Sequence, residues 1–280
     1  MFYSSDYKAN KPPAFVSEIR EDIMLKVLAI GNSFSIDSMA HLWNMLNESG
    51  QYDDVKLGNL AIGGCSLDTH YNNIVNDNPL YEYWFNENGP YIIHPERKLY
   101  DKLISEDWDI ITIQQVSQDS GRPETFGHLN EILEYLKSHE IGNAKIYWNM
   151  TWAYQQDTDH GGFANYNKDQ MTMYNAITDT VEDTIVPNPL IDGVLPTGTA
   201  IQNLRTALGD TLTRDGFHLS EGIGRYTAAL TWYSYLTGKD ASTVTWTPAD
   251  FTEEITPHLE KVYAAVNAAI ANPYEITDLS

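Results

Sequence analysis

Three side chains of this sequence could together activate a hydroxyl group. Ser33 follows the apolar run 24–31 (MLKVLAIG), and Asp215 and His218 lie three residues apart in the segment RDGFHLSEGIGRY. A serine hydroxyl becomes a good nucleophile when an imidazole removes its proton, and a carboxylate can hold that imidazole in the required tautomer. The short spacing lets Asp215 reach the ring of His218 within one turn of the chain. These residue types therefore predict a Ser-His-Asp triad.

The negatively charged oxygen that forms during attack on a carbonyl needs hydrogen-bond donors near Ser33. The backbone amide of Ser33 can donate from the start of a helix, and either glycine of the pair Gly63-Gly64 lets the backbone approach a substrate closely. Two side-chain amides, Gln114 and Gln115, end a later apolar run. An oxyanion hole made of the Ser33 amide, one glycine amide and one glutamine amide is therefore the second predicted part of the site.

Each triad residue also has an ordinary structural explanation. Ser33 or Ser35 could cap the helix that follows the first apolar run, Asp215 could serve a turn, and His218 could be a half-buried histidine with its own hydrogen bonds. Serines that cap helices far outnumber catalytic ones. The occurrence of all three residue types in one ordered set favours the catalytic interpretation.

Strands and helices alternate along the sequence, and their order predicts where these residues meet. Strands are predicted at 24–31, 55–62, 108–115 and 144–152, with a weaker strand at 190–195. Helices are predicted at 36–46, 125–139, within 166–184, and at 197–208, 221–237 and 254–272. This alternation predicts an α/β fold, a three-layer α/β/α sandwich with a central, mainly parallel sheet. Ligands bind at the carboxyl ends of the strands in such sheets.

The chain is predicted to form one domain at 24–280, preceded by an N-terminal extension at 1–23. No repeat, low-complexity tract or linker divides it. Two long segments between the predicted elements, 68–100 and 153–166, are rich in Tyr, Asn, Asp, Gly and His. Segments of this composition more often shape a binding site than a core, so both are predicted to border the site.

Charge and cysteine content exclude several classes of partner and site. The 280 residues include 39 Asp and Glu against 17 Lys and Arg, a formal net charge of −22. Such a surface repels phosphate backbones and anionic lipids, so neither nucleic acid nor a membrane is expected as a partner. Cys65 is the single cysteine, which excludes an intrachain disulfide. We predict that Cys65 is a small packing residue beside the glycine pair.

The start of the chain carries no recognisable targeting signal. Its first 22 residues, MFYSSDYKANKPPAFVSEIRED, lack a basic start followed by an apolar core, and no later window offers a spanning apolar run. The sequence as written therefore predicts a cytoplasmic protein. A secreted or periplasmic protein whose leader has been removed would show the same pattern.

Motifs for other chemistry are absent or incomplete. No G-x-S-x-G motif occurs, although HGGF at 160–163 is similar to the oxyanion loop of ordinary α/β-hydrolases; we interpret 160–162 as a mobile loop on the substrate side. QQDTDH at 155–160 matches no metal-site spacing and is predicted to be a solvated acidic loop. There is no P-loop and no G-x-G-x-x-G. The predicted enzyme uses no metal and no cofactor.

Aromatic residues near the end of the fourth predicted strand could stack on a sugar ring. Trp148 alternates with other large residues and is predicted to lie in the core. Trp152 and Tyr154 follow it, and they are predicted, together with His160, to contact the substrate.

Four blocks of this sequence resemble those of the SGNH, or GDSL-like, hydrolase superfamily. They are GNSFS after the first predicted strand, GGCSL at 63–67, QQVSQD at 114–119 and the late DGFH, and they occur in order between about residues 25 and 237. The resemblance implies an α/β/α fold similar to that of flavodoxin. It also implies that Ser33 is the nucleophile and that Asp215 and His218 complete the triad.

The sequence departs from the superfamily pattern at two places, and its second and third blocks resemble those of one branch of the superfamily. Asn32 stands where aspartate is common, which leaves the nucleophile in place, and the third block lacks G-x-N-D. The second and third blocks are more similar to the GGTSL-type and QGESD-type segments of carbohydrate esterases, including sialate O-acetylesterase-like proteins. By this resemblance Gly64 and Gln114 are the oxyanion donors beside the nucleophile, with Gly63 and Gln115 as alternatives.

The resemblance implies a serine esterase that removes a small acyl group, acetyl above all, from a sugar or glycan. The expected partner is thus a small-molecule or glycan ester. Two other functions stay open: a lipase-like or thioesterase-like hydrolase, which would need a broad apolar cleft, and a non-catalytic carbohydrate-binding protein on the same fold. The intact set Ser33, Asp215 and His218 argues against the second, because a binding protein has no use for all three.

Overall fold

A seven-stranded sheet crosses the centre of residues 24–139 and 144–280, the part of the chain that this computed structural model describes. Its strands in chain order are β1 (Met24–Gly31), β2 (Asp54–Ala61), β3 (Tyr81–Asn86), β4 (Ile92–Arg97), β5 (Ile110–Ile113), β6 (Lys145–Asn149) and β7 (Gly193–Leu195). They lie side by side in the order β4-β3-β2-β1-β5-β6-β7. β1, β2, β5, β6 and β7 run parallel, whereas β3 and β4 are antiparallel to their neighbours. The predicted central, mainly parallel sheet is confirmed.

Helices cover both faces of the sheet. They are α1 (Ser33–Met39), α2 (Leu42–Glu48), α3 (Leu67–Val75), α4 (Leu99–Leu103), α5 (Leu129–Ser138), α6 (Gln170–Thr180), α7 (Thr197–Leu208), α8 (Ile223–Thr237), α9 (Thr252–Ile255) and α10 (Leu259–Ala271). The step from β1 to β2 runs opposite to the steps from β5 to β7, so right-handed connections place α1 and α2 on one face and α5 and α6 on the other. The predicted three-layer α/β/α sandwich is confirmed. None of the helices among the described residues has the length and apolar character needed to cross a bilayer.

The first helix differs from its prediction in a way that matters for the nucleophile. The sequence predicts one helix at 36–46, whereas the structure has α1 and then α2, separated at Ala40 and His41. α1 begins three residues earlier than predicted because the side chain of Asn32 caps it, accepting a hydrogen bond from the backbone N–H of Phe34 at 3.0 Å. Ser33 is therefore the first residue of a helix that starts directly after β1.

Most of the segment 68–100 forms regular secondary structure and not a loop, and its place at the border of the site stays a prediction. β3 and β4 form an antiparallel hairpin that extends the sheet beyond β2. Tyr81 and Tyr83 are buried in the core while Glu82 between them is exposed, so the alternation in YEYWFN is that of a strand. The single domain at 24–280 stays a prediction, and the predicted extension at 1–23 lies outside the described residues.

The strand order reverses between β1 and β5, which lie next to each other in the sheet. In folds of this kind ligands bind in the crevice outside the carboxyl ends of two such strands. β1 ends at Gly31 and is followed by Ser33, and β5 ends at Ile113 and is followed by Gln114. The topology thus brings the predicted nucleophile and the predicted glutamine donor to the same edge of the sheet.

Gly31→Ala is expected to lower the free energy of unfolding by about 1 to 3 kcal/mol. An added Cβ would lie 2.6 Å from Ser35 Oγ and 2.8 Å from Ser35 Cβ, and that hydroxyl is already bound to Asn32 O and Asn59 Oδ1. Urea unfolding followed by circular dichroism measures the change. Gly127→Ala is the control, because a Cβ there meets nothing within 4 Å. Equal unfolding midpoints for the two variants would contradict this account of the packing.

Candidate active site

Ser33, His218 and Asp215 form a continuous hydrogen-bonded chain at the edge of the sheet. Ser33 Oγ lies 2.9 Å from His218 Nε2, and His218 Nδ1 lies 2.6 Å from Asp215 Oδ2. When His218 is neutral with its proton on Nδ1, that nitrogen donates to Asp215 and Nε2 is free to accept from the serine hydroxyl. The structure thus brings together the three residues that the sequence selects, although Ser33 and His218 are 185 positions apart.

The cap of α1 leaves the Ser33 hydroxyl free for this contact. Asn32 provides the capping oxygen, so the alternative that Ser33 or Ser35 caps the helix is wrong. Ser35 instead donates to the Asn32 carbonyl oxygen at 2.7 Å and to Asn59 Oδ1 at 2.9 Å, and it is buried. Ser33 is only partly buried, so its hydroxyl can meet both His218 and a ligand from solvent.

Buried amide side chains join the strand ends beneath Ser33. Gln114 Nε2 donates to Asn32 Oδ1 at 3.0 Å, and Asn149 Nδ2 donates to Gln114 Oε1 at 2.8 Å. Asn32 Nδ2 donates in turn to the carbonyl oxygen of Cys65 at 3.0 Å. These bonds connect the ends of β1, β5 and β6 with the loop after β2. The loop that carries the candidate oxyanion donors is therefore fixed to the residue before the nucleophile.

Asp215 is held in place by its own loop. Its Oδ1 accepts from the backbone N–H groups of Phe217 at 3.2 Å and His218 at 2.8 Å, while Oδ2 faces the His218 ring. Burial alone would raise the pKa of Asp215, but the hydrogen bonds from the His218 ring and from the two backbone amides outweigh it and lower the pKa below its ordinary value. The carboxylate is consequently ionised at neutral pH.

A buried carboxylate that the sequence analysis missed, Asp37, ties this loop to α1. Its side chain is 1% exposed and accepts from Arg214 Nη1 at 3.1 Å, Arg225 Nε at 2.8 Å and the backbone N–H of Leu219 at 2.9 Å. Arg214 Nη1 also donates to the carbonyl oxygen of Leu219. Arg214 precedes Asp215 and Leu219 follows His218. Asp37, one helical turn after Ser33 in α1, thus forms hydrogen bonds with both ends of the loop that carries Asp215 and His218.

One signal in the sequence could have indicated this partner. The segment RDGFHLSEGIGR has an arginine directly before the Asp-His pair and another seven residues after the histidine. Buried or half-buried arginines need acidic partners. However, the chain offers 39 acidic residues, and no local pattern distinguishes Asp37 among them.

Trp152 and Tyr154 support the site from inside and do not face the substrate, which corrects their prediction. Both side chains are 0% exposed. Trp152 stacks on Phe34 with ring centroids 4.1 Å apart, and its Nε1 donates to the carbonyl oxygen of Phe217 at 2.7 Å. The hydroxyl groups of Tyr154 and Ser117 lie 2.7 Å apart. Trp152 therefore holds the loop that carries Asp215 and His218 against α1.

Trp148 is 2% exposed, which confirms its predicted place in the core, and Cys65 is 1% exposed, which confirms it as a packing residue. Burial raises the pKa of the Cys65 thiol to about 12. The thiol is therefore protonated near neutral pH and is no second nucleophile.

His160 lies beside the triad and stays a predicted substrate contact. Its Nδ1 accepts from the backbone N–H of Gly162 at 3.1 Å, so the proton of the neutral ring is on Nε2. The rings of His160 and Phe217 have centroids 4.7 Å apart, and Phe217 in turn lies 4.2 Å from His218. Burial, and then the nearby charge of His218, lower the pKa of His160. A neutral His160 can offer an N–H donor near His218.

The segment 153–166 borders the loop that carries Asp215 and His218. The backbone N–H of Gln155 donates to the Gly216 carbonyl oxygen at 2.8 Å, and Gly216 has φ +89 with Thr158 directly against it. The part interpreted as a mobile loop forms a 3₁₀ helix at Gly161–Tyr166, capped by His160. Among the described residues no group of three or more His, Cys, Asp or Glu side chains could hold a metal ion.

The Gly63-Gly64 turn presents backbone amides at the surface. Cys65 N donates to Ile62 O at 3.1 Å across the turn, and Gly64 adopts φ +65, a conformation that side chains disfavour. Both glycines are exposed, and a Cβ on either would meet nothing within 4 Å. Their amides bind no other group among the described residues, so they are free to donate to a ligand. Gly64 and its alternative Gly63 stay predictions.

The two glutamines differ in what they can still bind. Gln115 Nε2 donates to both oxygen atoms of Thr125, and its Oε1 accepts from the backbone N–H groups of Leu67 and Val116. Gln115 is thus fully used in holding the start of α3, which removes it as an alternative donor. Gln114 Nε2 donates one of its two hydrogens to Asn32 Oδ1. Its second hydrogen has no acceptor within the described part of the chain. Gln114 stays the predicted third donor.

A family model described as "Domain of unknown function (DUF4886)" matches residues 26–265. Among solved structures, a DUF4886 family protein from Bacteroides uniformis is 36% identical, with a TM-score of 0.85 over 91% of this chain and 98% of that chain. No curated protein matches the sequence.

Other solved structures are similar in fold at low sequence identity. A GDSL-like lipase from Parabacteroides merdae, described as putative, is 13% identical, with a TM-score of 0.50 over 79% of this chain and 98% of that chain. An acetyl xylan esterase is 16% identical, with a TM-score of 0.49 over 76% and 100% of the two chains. The predicted resemblance is confirmed at the level of the fold: the chain has the α/β fold of the SGNH hydrolases.

Asp37→Asn is expected to lower the free energy of unfolding by about 2 to 4 kcal/mol, because an amide cannot accept from two arginines and a backbone N–H as a carboxylate does. Chemical denaturation at neutral pH measures the loss. Asp77→Asn is the matched control, because the side chain of Asp77 is 60% exposed where it pairs with Lys98, and its loss should be below about 0.5 kcal/mol. Similar losses in both variants would show that Asp37 does not hold the loop.

Asp215→Asn should remove part of the pH dependence of unfolding. The pKa of Asp215 is lower in the folded protein than in the unfolded chain, so its stabilising effect is present above the unfolded pKa and is lost as the pH falls through the folded pKa. The difference in unfolding free energy between the native protein and the variant should therefore shrink as the pH falls below about 5. Urea unfolding at several pH values tests this, and a difference that is constant with pH would contradict it.

Proposed function

The chain belongs to the DUF4886 family, and we propose that it is a serine esterase that hydrolyses small acyl esters, with acetyl esters of carbohydrates as its candidate substrates. The observation that carries the proposal is the chain of hydrogen bonds from Ser33 Oγ through His218 to Asp215, at 2.9 and 2.6 Å. Such a chain has no evident structural use, because Asn32 already caps α1 and Asp37 already holds the loop. It does supply each part of an activated nucleophile.

In the proposed acylation step, Ser33 Oγ attacks the ester carbonyl carbon while His218 Nε2 takes the hydroxyl proton. The carbonyl π electrons move to oxygen, and Asp215 stabilises the imidazolium that forms. The tetrahedral intermediate then collapses: the bond to the alcohol oxygen breaks, and His218 returns the proton to that oxygen. Water repeats the sequence with His218 as its base, which releases the acid and restores Ser33.

The developing negative charge on the carbonyl oxygen would be met by neutral donors. The amides of Ser33 and Gly64 make no hydrogen bond within the described structure, and Gln114 has one amide hydrogen to spare. Donors that are fixed before reaction cost no reorganisation when the charge forms. The Gln114 amide is itself fixed by Asn32 and Asn149.

The substrate class rests on the resemblance of GGCSL and QQVSQD to carbohydrate esterases, and the surroundings of Ser33 support it. Ser33 is partly exposed, and Gly63 and Gly64 are exposed. An ester group that projects from a large polar molecule, such as an acetylated glycan, could reach a site of this kind. The net charge of −22 disfavours strongly acidic polymers as substrates.

Hydrolysis of p-nitrophenyl acetate at neutral pH tests the proposal. The native protein should release p-nitrophenol, and Ser33→Ala should reduce kcat by about 10³-fold or more, because within residues 24–139 and 144–280 no other hydroxyl is hydrogen-bonded to the His218 ring. Ser105→Ala, at an exposed serine, is the control and should retain full activity. Circular dichroism checks that all three proteins are folded.

Two results would reject this assignment. Equal rates for the native protein and Ser33→Ala would exclude Ser33 as the nucleophile. Binding of acetylated sugars by the native protein with no hydrolysis of any ester would favour the carbohydrate-binding alternative.

A further inference from the structure

A small apolar cavity lies beside α1, the helix that begins with Ser33. Its volume is about 180 Å³, and Ile36, Met39 and Ala40 line it from α1 and its C-cap. Ile36 and Ala40 follow Ser33 by three and seven positions, a spacing that places all three on one face of a helix. The cavity therefore begins about one turn from the nucleophile and continues for roughly 5 Å along the same face.

The hairpin of β3 and β4 forms the opposite wall. Trp84 from β3 and Tyr91 from the turn before β4 line the cavity, with their ring centroids 6.4 Å apart. Tyr91 donates its hydroxyl hydrogen to the carbonyl oxygen of Met39 at 3.0 Å, which holds the hairpin against α1. The wall that faces α1 is thus aromatic and fixed.

The side chains of Arg225 and Asn59, which line the cavity, each make at least one hydrogen bond within the protein. Arg225 Nε donates to Asp37 at 2.8 Å, and Asn59 Oδ1 accepts from Ser35 Oγ at 2.9 Å. Neither group requires a charged ligand to satisfy it. The remaining lining is aliphatic or aromatic, so the cavity suits an uncharged, apolar group.

The position of the cavity around α1 indicates whether it would bind the acyl part or the alcohol part of an ester. At about 100° per residue, Asp37 lies about 40° to one side of Ser33, and Ile36 lies about 60° to the other. Asp37 holds the loop of His218, and neither Asp37 nor any residue of that loop lines the cavity, so we place the base and the cavity on different sides of Ser33. The alcohol must leave next to His218, which protonates it. The acyl chain is then directed towards Ile36.

We propose that this cavity is an acyl-binding pocket that accepts unbranched or cyclic apolar acyl groups of up to about six carbons. A volume near 180 Å³ is close to that of cavities that hold one six-membered hydrocarbon ring. The proposal rests on the esterase function above and makes acetyl the smallest acyl group of the range, one that leaves the pocket empty. Longer acyl chains fill the pocket, and burial of their methylene groups should raise kcat/KM.

The p-nitrophenyl esters of acetate, butanoate, hexanoate and decanoate measure this preference. Each methylene group transferred into the pocket should raise kcat/KM up to about fourfold, so hexanoate should exceed acetate by tenfold or more, after correction for their rates with hydroxide. Decanoate should fall below hexanoate because the pocket is full. A flat or falling series from acetate onwards would overturn the proposal and leave the esterase function intact.

A pair of alanine variants locates the effect. Ala40→Leu fills the pocket from α1 and should lower the ratio of hexanoate to acetate kcat/KM about tenfold. Ala264→Leu, at an exposed position on α10, is the matched control and should leave the ratio unchanged. An unchanged ratio in a folded Ala40→Leu variant would place the acyl chain elsewhere.

A binding measurement tests the pocket independently of catalysis. Methyl hexanoate should shift the NMR signal of the Trp84 indole N–H in Ser33→Ala, and methyl acetate should shift it less; Trp84→Phe identifies that signal. If no ester is hydrolysed but this shift occurs, the proposed esterase function fails while the pocket stands. If esters are hydrolysed and the signal does not move, the acyl pocket is wrong.

Discussion

The buried carboxylate of Asp37 is the contact on which the geometry of the site depends. A nucleophile and a base that are far apart in sequence must be held within one hydrogen bond of each other, and a surface loop alone would not do so. Asp37 receives two arginine side chains and one backbone N–H while it is almost fully buried. Charge-assisted hydrogen bonds of this kind are short and directional. Because Asp37 and Ser33 share α1, the loop and the nucleophile form one rigid unit.

Neutral amide side chains hold together the chain segments next to Ser33, as Asp37 does for the loop of His218. Asn32 accepts from Phe34 N and from Gln114 and donates to the Cys65 carbonyl oxygen, so it uses both ends of its amide. An ionised aspartate at this position would have no hydrogen to give to Cys65, and two oxygens would face each other in a buried place. The departure from the common aspartate therefore fits the local hydrogen bonding, and it adds no buried negative charge to a protein that already carries −22.

The antiparallel hairpin changes what an otherwise familiar sheet offers to a ligand. The parallel strands and their crossover helices account for the crevice, the triad and the Gly63-Gly64 turn. β3 and β4 add a wall that stands against α1, with Trp84 and Tyr91 on its inner side. The hairpin can therefore set the selectivity of the proposed acyl pocket without any change in Ser33, His218 or Asp215.

The sequence by itself determined the α/β class, most of the strands and helices, and the choice of Ser33, Asp215 and His218, which the structure brings together. Those signals are local: apolar runs, helical periodicity, and an Asp-x-x-His pair that meets within its own loop. Only the tertiary structure decided the roles of Asp37 and Gln115 and turned Trp152 and Tyr154 away from solvent. Each of these roles is set by a partner far away in the chain. A side chain's neighbours in sequence do not reveal which distant group will satisfy its hydrogen bonds once it is buried, and burial is what makes that choice energetically decisive.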